Sequence, residues 1–77
     1  MKTLTLYSTV GCHLCEQALE LVQPMVAERY RVKIIDIAET DELIACYGVR
    51  IPVIARDDGL EIGWPFDSVA FNEFLDQ

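Results

Sequence analysis

Thr3-Leu4-Thr5-Leu6-Tyr7-Ser8-Thr9-Val10-Gly11-Cys12-His13-Leu14-Cys15 is the stretch that decides the fold of this 77-residue chain. Its first part alternates with period two. Leu4 and Leu6 lie on one face and Thr3, Thr5 and Tyr7 on the other, the pattern of a half-covered strand over Thr3–Tyr7. Ser8 to Gly11 reads as a turn. Beyond it the period changes: Leu14, Ala18, Leu21, Val22 and Met25 recur at helical spacing and predict one apolar stripe. Cys12 and Cys15 therefore fall where a strand and turn end and a helix begins. Pro24 interrupts this helical pattern and predicts a kink or a split, because it lacks an amide donor and clashes with the carbonyl of Glu20.

The remaining elements follow in alternation. Arg31 to Ile37 reads as a second strand, apolar on both faces apart from Lys33 and Asp36, as in a sheet covered on both sides. Thr40 is placed to cap a helix, with Asp41 and Glu42 favourable in its first turn. That helix should turn Leu43, Ile44 and Tyr47 inward and stop at Gly48 as a C′ residue. Pro52 opens a third strand through Arg56, Asp57-Asp58-Gly59 makes a hairpin turn, and Leu60 to Trp64 returns. Asp67 or Ser68 caps a last helix with Ala70, Phe71, Phe74 and Leu75 inward. The order is βαβαββα: an α/β fold with a four-stranded mixed sheet flanked by helices. The first two strands should be parallel, joined by a right-handed crossover, and the last two antiparallel. Residues 1–77 make one domain.

Thirteen acidic against six basic residues give a net charge of −7. This balance excludes nucleic acid and anionic membrane surfaces, which need clustered positive charge. The N-terminus has no secretory h-region, and no run approaches the ~20 apolar residues of a membrane span. A cytoplasmic chain is expected, and there structural disulfides are rare. Three cysteines leave one over from any disulfide framework. Cys46, beside Leu43 and Tyr47, is expected to be a small buried hydrophobe.

At a helix start, unpaired amides and the macrodipole favour an anion. A free thiol titrates near ~8.5 and is mostly protonated at neutral pH. Placed there, Cys12 should be substantially ionised, with Cys15 one turn further in and less exposed. Residues i and i+3 share a helix face, at a Cα separation of ~5–6 Å that suits a disulfide. Cys12 would attack a disulfide and Cys15 would resolve the mixed disulfide. Three other readings stand beside this one. A structural bridge would close a loop worth only ~2 kcal/mol. A zinc site would draw on Cys12, His13, Cys15 and Cys46, though His13 points away from Cys12 around the helix and no second paired spacing exists. The third reading is a pair of inert buried thiols.

Tyr7 to Cys15 after the first strand, followed by Ile51-Pro52-Val53 opening the third, resembles the two-part signature of the thioredoxin superfamily. Length and element order are similar to glutaredoxins, and more closely to small glutaredoxin-like proteins with a C-H-L-C centre. The resemblance covers essentially the whole chain. It implies a thiol–disulfide oxidoreductase with Cys12 as nucleophile and Cys15 as resolving cysteine. It implies that Pro52 is a cis-proline which sets the backbone of Ile51 beside the nucleophile, where a peptide can pair. The candidate substrate-binding positions are Gly11, His13, Arg50, Ile51, Pro52, Trp64 and Asp67. His13 as a cation would stabilise the thiolate, and as an exposed neutral imidazole it would do little. Trp64 serves either packing or a substrate surface, and Asp67 would bind an amino group or cap a helix. Arg50 is a solvated charge or a carboxylate contact.

Departures from glutaredoxins concern glutathione. Thr9 stands where a cation is common, Arg50-Ile51-Pro52 replaces Thr-Val-Pro, and Gly63-Trp64 replaces a Gly-Gly pair. No tightly bound cofactor or metal is expected, and glutathione is a doubtful co-substrate. Expected partners are protein or low-molecular-weight disulfides and a thiol reductant, either a thioredoxin reductase-like or a glutathione system. A monomer is expected. The alternative is a redox-inactive thioredoxin-fold interaction module that keeps the cysteines for zinc or by descent.

Overall fold

The computed structural model describes residues 2–77. Strand β1 (Lys2–Ser8) leads into helix α1 (His13–Val26), strand β2 (Tyr30–Asp36) and a 3-10 turn (Ile37–Glu39). Helix α2 (Asp41–Tyr47), strands β3 (Val53–Arg56) and β4 (Glu61–Gly63), and helix α3 (Ser68–Asp76) follow. The sheet order is β2-β1-β3-β4, with β1 parallel to β2 and antiparallel to β3, and β3 antiparallel to β4. This is the mixed four-stranded α/β arrangement expected from the element order.

The alternation in β1 separates two cores. Leu4, Leu6 and Ile54 pack with Val22 and Val26 of α1 and with Phe71, Phe74 and Leu75 of α3. On the other sheet face Val53 packs with Ile37 and Tyr47, bordered by Tyr7, Leu43 and Ile51. A strand sends successive side chains to opposite faces, so β1 and β3 each serve both layers. Helix α3 begins as expected: Asp67 accepts a hydrogen bond from the amide of Ala70 at 2.8 Å. Thr40 caps α2 by accepting from the Leu43 amide at 3.1 Å.

Several local expectations are corrected. The inward stripe of α1 is Cys15, Ala18, Val22 and Val26. Leu14 is exposed and Leu21 only half-buried. With Cys12 as cap the helical frame turns Cys15 to the sheet, and Leu14 lies about 100° away on the open flank. Pro24 does not split the helix, because it lies exposed in the last turn, two residues before the end.

Strand β2 is a sheet edge and leaves Ile34 exposed rather than covered. Ile37 has already left the strand for the 3-10 turn. Helix α2 has seven residues and one inward ridge, Leu43 and Tyr47, so Ile44 and Cys46 both lie exposed. Cys46 is thus a surface thiol rather than a buried hydrophobe. Gly48 keeps right-handed helical torsions (φ −52°) instead of the left-handed C′ conformation. Its role is spatial, since a Cβ would sit 2.5 Å from the Ile44 carbonyl oxygen.

The hairpin turns on Gly59, at φ +95°. Strand β4 is shorter than the Leu60–Trp64 span expected for it. The Trp64 amide still donates to the Pro52 carbonyl at 3.1 Å, and Pro65 after it has no amide to offer.

A polar clamp ties α2 to β4. The Tyr47 hydroxyl donates to Glu61 Oε2 at 2.5 Å, and Arg50 Nη2 donates to Glu61 Oε1 at 3.1 Å. The Tyr47 ring stacks on Tyr7 with centroids 4.1 Å apart, and the Arg50 guanidinium sits 5.3 Å from the Tyr47 ring centroid. The hydrogen bond to Glu61, then burial, then the nearby carboxylate charge raise the Tyr47 phenol well above its ordinary range.

Two outcomes are expected in denaturant titrations. Phe71 is fully buried, so Phe71→Ala should cost about 3–5 kcal/mol and leave a domain of this size largely unfolded. Because the neutral phenol is favoured in the folded state, the Tyr47 contribution should be complete below about pH 10 and fall as pH rises above it. Tyr47→Phe should cost about 1–2 kcal/mol at neutral pH and flatten that alkaline decline. An unchanged alkaline slope in Tyr47→Phe would contradict the clamp.

Candidate functional site

Gly11 carries a φ of +80°, a torsion that L residues rarely adopt. A Cβ there would meet nothing within 4 Å, so the constraint is torsional. It turns the chain out of β1 so that Cys12 becomes the N-cap of α1, in extended torsions (φ −84°, ψ 99°). Its carbonyl accepts from the Glu16 amide at 3.2 Å, which starts the helix. Its Sγ accepts from the Cys15 amide at 3.2 Å. The sulfur thus fills the place that an Asp or Ser oxygen takes in other helices, at the positive end of the dipole.

Cys12 and Cys15 are joined as a disulfide, with Cα atoms 5.3 Å apart. Cys12 is half-buried, whereas Cys15 is only 3% exposed. The two sulfurs therefore differ in access: an incoming group meets Cys12 first.

Two shallow grooves involve the Cys12–Cys15 segment. One is lined by both cysteines together with Gly11, Thr9, Val10 and Ile34. The other is lined by Leu14, Val49, Arg50, Ile51, Trp64 and Pro65. Leu14 is 47% exposed and Val49 entirely so. The second groove thus has an apolar rim that reaches the cysteine pair's segment through Leu14.

The other sequence-derived positions divide. Arg50, Ile51 and Trp64 come together in the second groove. Pro52 is buried and follows a cis Ile51–Pro52 bond; Trp64–Pro65 is also cis. Trp64 meets Phe66 edge-to-face at 5.1 Å, and Phe66 stacks on core Phe71, so the indole serves packing and the groove at once. His13 points to solvent, its side chain 90% exposed and Nδ1 3.6 Å from the Glu16 carboxylate. Asp67 is occupied as the α3 cap. Arg50 is exposed and pairs with Glu61 at 3.1 Å.

Among the described residues no three His, Cys, Asp or Glu side chains converge as metal ligands. Cys46 stands free on the surface of α2 while Cys12 and Cys15 bond to each other. The four-ligand zinc site considered from the sequence is not assembled. Among the described residues no helix is long and apolar enough to cross a membrane. Sequence reasoning missed Leu14, Val49 and Glu61. Leu14 was findable, since fixing Cys12 as the cap fixes the helical frame. Glu61 carries no local signal, because its partners are 11 and 14 residues away.

The family described as Glutaredoxin-like domain (DUF836) matches residues 3–76. The chain is also similar to the X. campestris protein XcR50. Its X-ray structure is 37% identical, with a TM-score of 0.85 and 95% of each chain covered. Its solution structure is 37% identical, with a TM-score of 0.81, 99% of this chain and 94% of that one being covered. The fold is shared with Ne2328 of Nitrosomonas europaea at 24% identity and a TM-score of 0.80, covering 95% of this chain and 89% of that one. No curated protein matches the chain. With the match spanning all but the ends of the sequence, the chain belongs to the glutaredoxin-like domain family of thioredoxin-fold proteins.

Proposed function

We propose that this chain is a dithiol–disulfide oxidoreductase that works through Cys12 and Cys15. The observation that carries the reading is the Cys12 sulfur at the helix start. It accepts the Cys15 amide and is half-exposed, and its bonded partner is buried one turn inside. That amide bond and the helix dipole favour a thiolate on Cys12 once the pair is reduced.

The cycle balances in two exchanges. The Cys12 thiolate attacks one sulfur of a substrate disulfide. A Cys12–substrate bond forms, the substrate S–S bond breaks, and the first substrate thiolate leaves and takes a proton. Cys15, losing its proton, then attacks Cys12; the Cys12–Cys15 bond forms and the second substrate thiol departs. Two electrons pass from the pair to the substrate. A separate thiol reductant, of the thioredoxin reductase-like or glutathione kind, reverses the process on the oxidised pair.

No resident cofactor is required. Gly11 shapes the approach to Cys12, and the groove with Ile51 and Trp64 receives the substrate flank. The reducing environment of the cytoplasm suits this cycle, and the charge balance turns the protein away from nucleic acid.

The test is reduction of a disulfide-linked peptide by the purified protein with excess dithiothreitol. Cys12→Ser should lower the rate to that without protein. Cys46→Ser should match the wild type, and pre-reduced Cys15→Ser mixed with the peptide after removal of dithiothreitol should accumulate a Cys12–peptide mixed disulfide visible as added mass. If Cys12→Ser retained the wild-type rate, or the wild type gave no acceleration, the chain would be an interaction module and not a redox enzyme.

A further inference from the structure

The charge at the cysteine pair is arranged by a residue outside it. Of the six cations in the sequence, Arg50 alone lines either groove beside the pair. Arg56 is held by Asp58 and by the Phe74 carbonyl. Lys2 opens β1, and Arg31 and Lys33 sit opposite Thr3 and Thr5, well before the end of β1 from which Cys12 follows. Lys2 and Arg29 border a separate pocket with Asp57 and Asp76.

Arg50 itself is spent on Glu61. Its Nη2 lies 3.1 Å from Glu61 Oε1, its Nη1 donates to the Cys46 carbonyl at 3.4 Å, and its face rests on Tyr47. The other groove contains Glu16 and no cation. The two grooves therefore offer Glu16 and no unpaired Lys or Arg, inside a molecule of charge −7.

Resting on the oxidoreductase reading, we propose that Glu61 is a specificity-determining residue. By neutralising Arg50 it makes the site discriminate against carboxylate-bearing disulfides, small or peptidic. The site favours polypeptide disulfides whose neighbours are apolar. Leu14, Val49 and Trp64 supply the complementary surface for those neighbours. Glu61 touches no reacting atom; it acts by holding the guanidinium. Attraction between exposed charges is modest and screened by salt, so the effect is a bias between substrates rather than an absolute gate.

The experiment compares three oxidants of the reduced full chain. They are a disulfide peptide with leucines beside its cysteine, the same peptide with glutamates, and glutathione disulfide. In the wild type the leucine peptide should react fastest. Glu61→Gln keeps an acceptor for Tyr47 but frees Arg50. It should raise the rates with the glutamate peptide and glutathione disulfide about two- to fivefold relative to the leucine peptide. The gain should vanish at high salt and in Glu61→Gln/Arg50→Gln, and Glu61→Asp should keep the wild-type ratios.

A simple structural loss would move all three rates together and leave no salt-dependent ratio. Ratios in Glu61→Gln equal to wild type, or a gain that survives Arg50→Gln, would overturn the proposal while leaving the redox reading intact. If none of the three oxidants reacted faster than with an unstructured dithiol peptide, the redox reading itself would fall, and this inference with it.

Discussion

The arrangement depends on a sulfur used as a helix cap. The first turn of any helix leaves amides without partners, and a side-chain oxygen commonly satisfies one of them. Here the Cys12 sulfur accepts the Cys15 amide. That single bond fixes where α1 begins, sets the angular frame of every residue after it, and puts the helix dipole on the atom that would carry charge. The frame in turn buries Cys15, Ala18, Val22 and Val26 and leaves Leu14 outside. The burial pattern of the core and the unequal access of the two cysteines thus have one cause.

The two layers of the sheet divide the work. The larger core under α1 and α3 holds the cap in position, because Leu4 and Leu6 of β1 are locked against Val22, Phe71 and Ile54. The smaller core under α2 is thin, and polar contacts reinforce it where apolar area runs out. Tyr47 is buried against Val53 and Ile37, stacks on Tyr7 and reaches Glu61. The segment from Gly48 to Pro52 runs between this clamp and the second groove. The contacts that tie α2 to β4 therefore also fix Arg50 at the rim of that groove.

Much of this was legible in the sequence, where a strong local period or a capping residue stood behind it. The alternation of Leu4, Leu6 and Tyr7, the Phe71-Phe74-Leu75 stripe, the caps at Thr40 and Asp67 and the turn at Gly59 all rest on interactions within a few residues. The placement of Cys12 at a helix start was of the same kind. Errors arose where hydropathy and geometry disagree. Leu14 and Ile44 are apolar yet lie off the inward ridge, and Cys46 is a residue type usually buried but sits on a helix too short to bury it. Ile34 is exposed because β2 is the sheet edge, and the chain gives no local sign of which strand will be the edge. The Glu61 clamp was illegible, since it joins residues that only the hairpin and α2 bring together.

The most direct measurement of the central interaction is the rate at which iodoacetamide alkylates each cysteine of the reduced, folded protein at neutral pH. Each site would be resolved by peptide mass and compared with the same cysteines in urea. A capped, half-exposed sulfur anion should make Cys12 react faster folded than unfolded and well ahead of Cys15, which should be protected. Were Cys15 to react first, or Cys12 to react no faster in the folded protein than in the unfolded chain, the helix start would not be activating that sulfur.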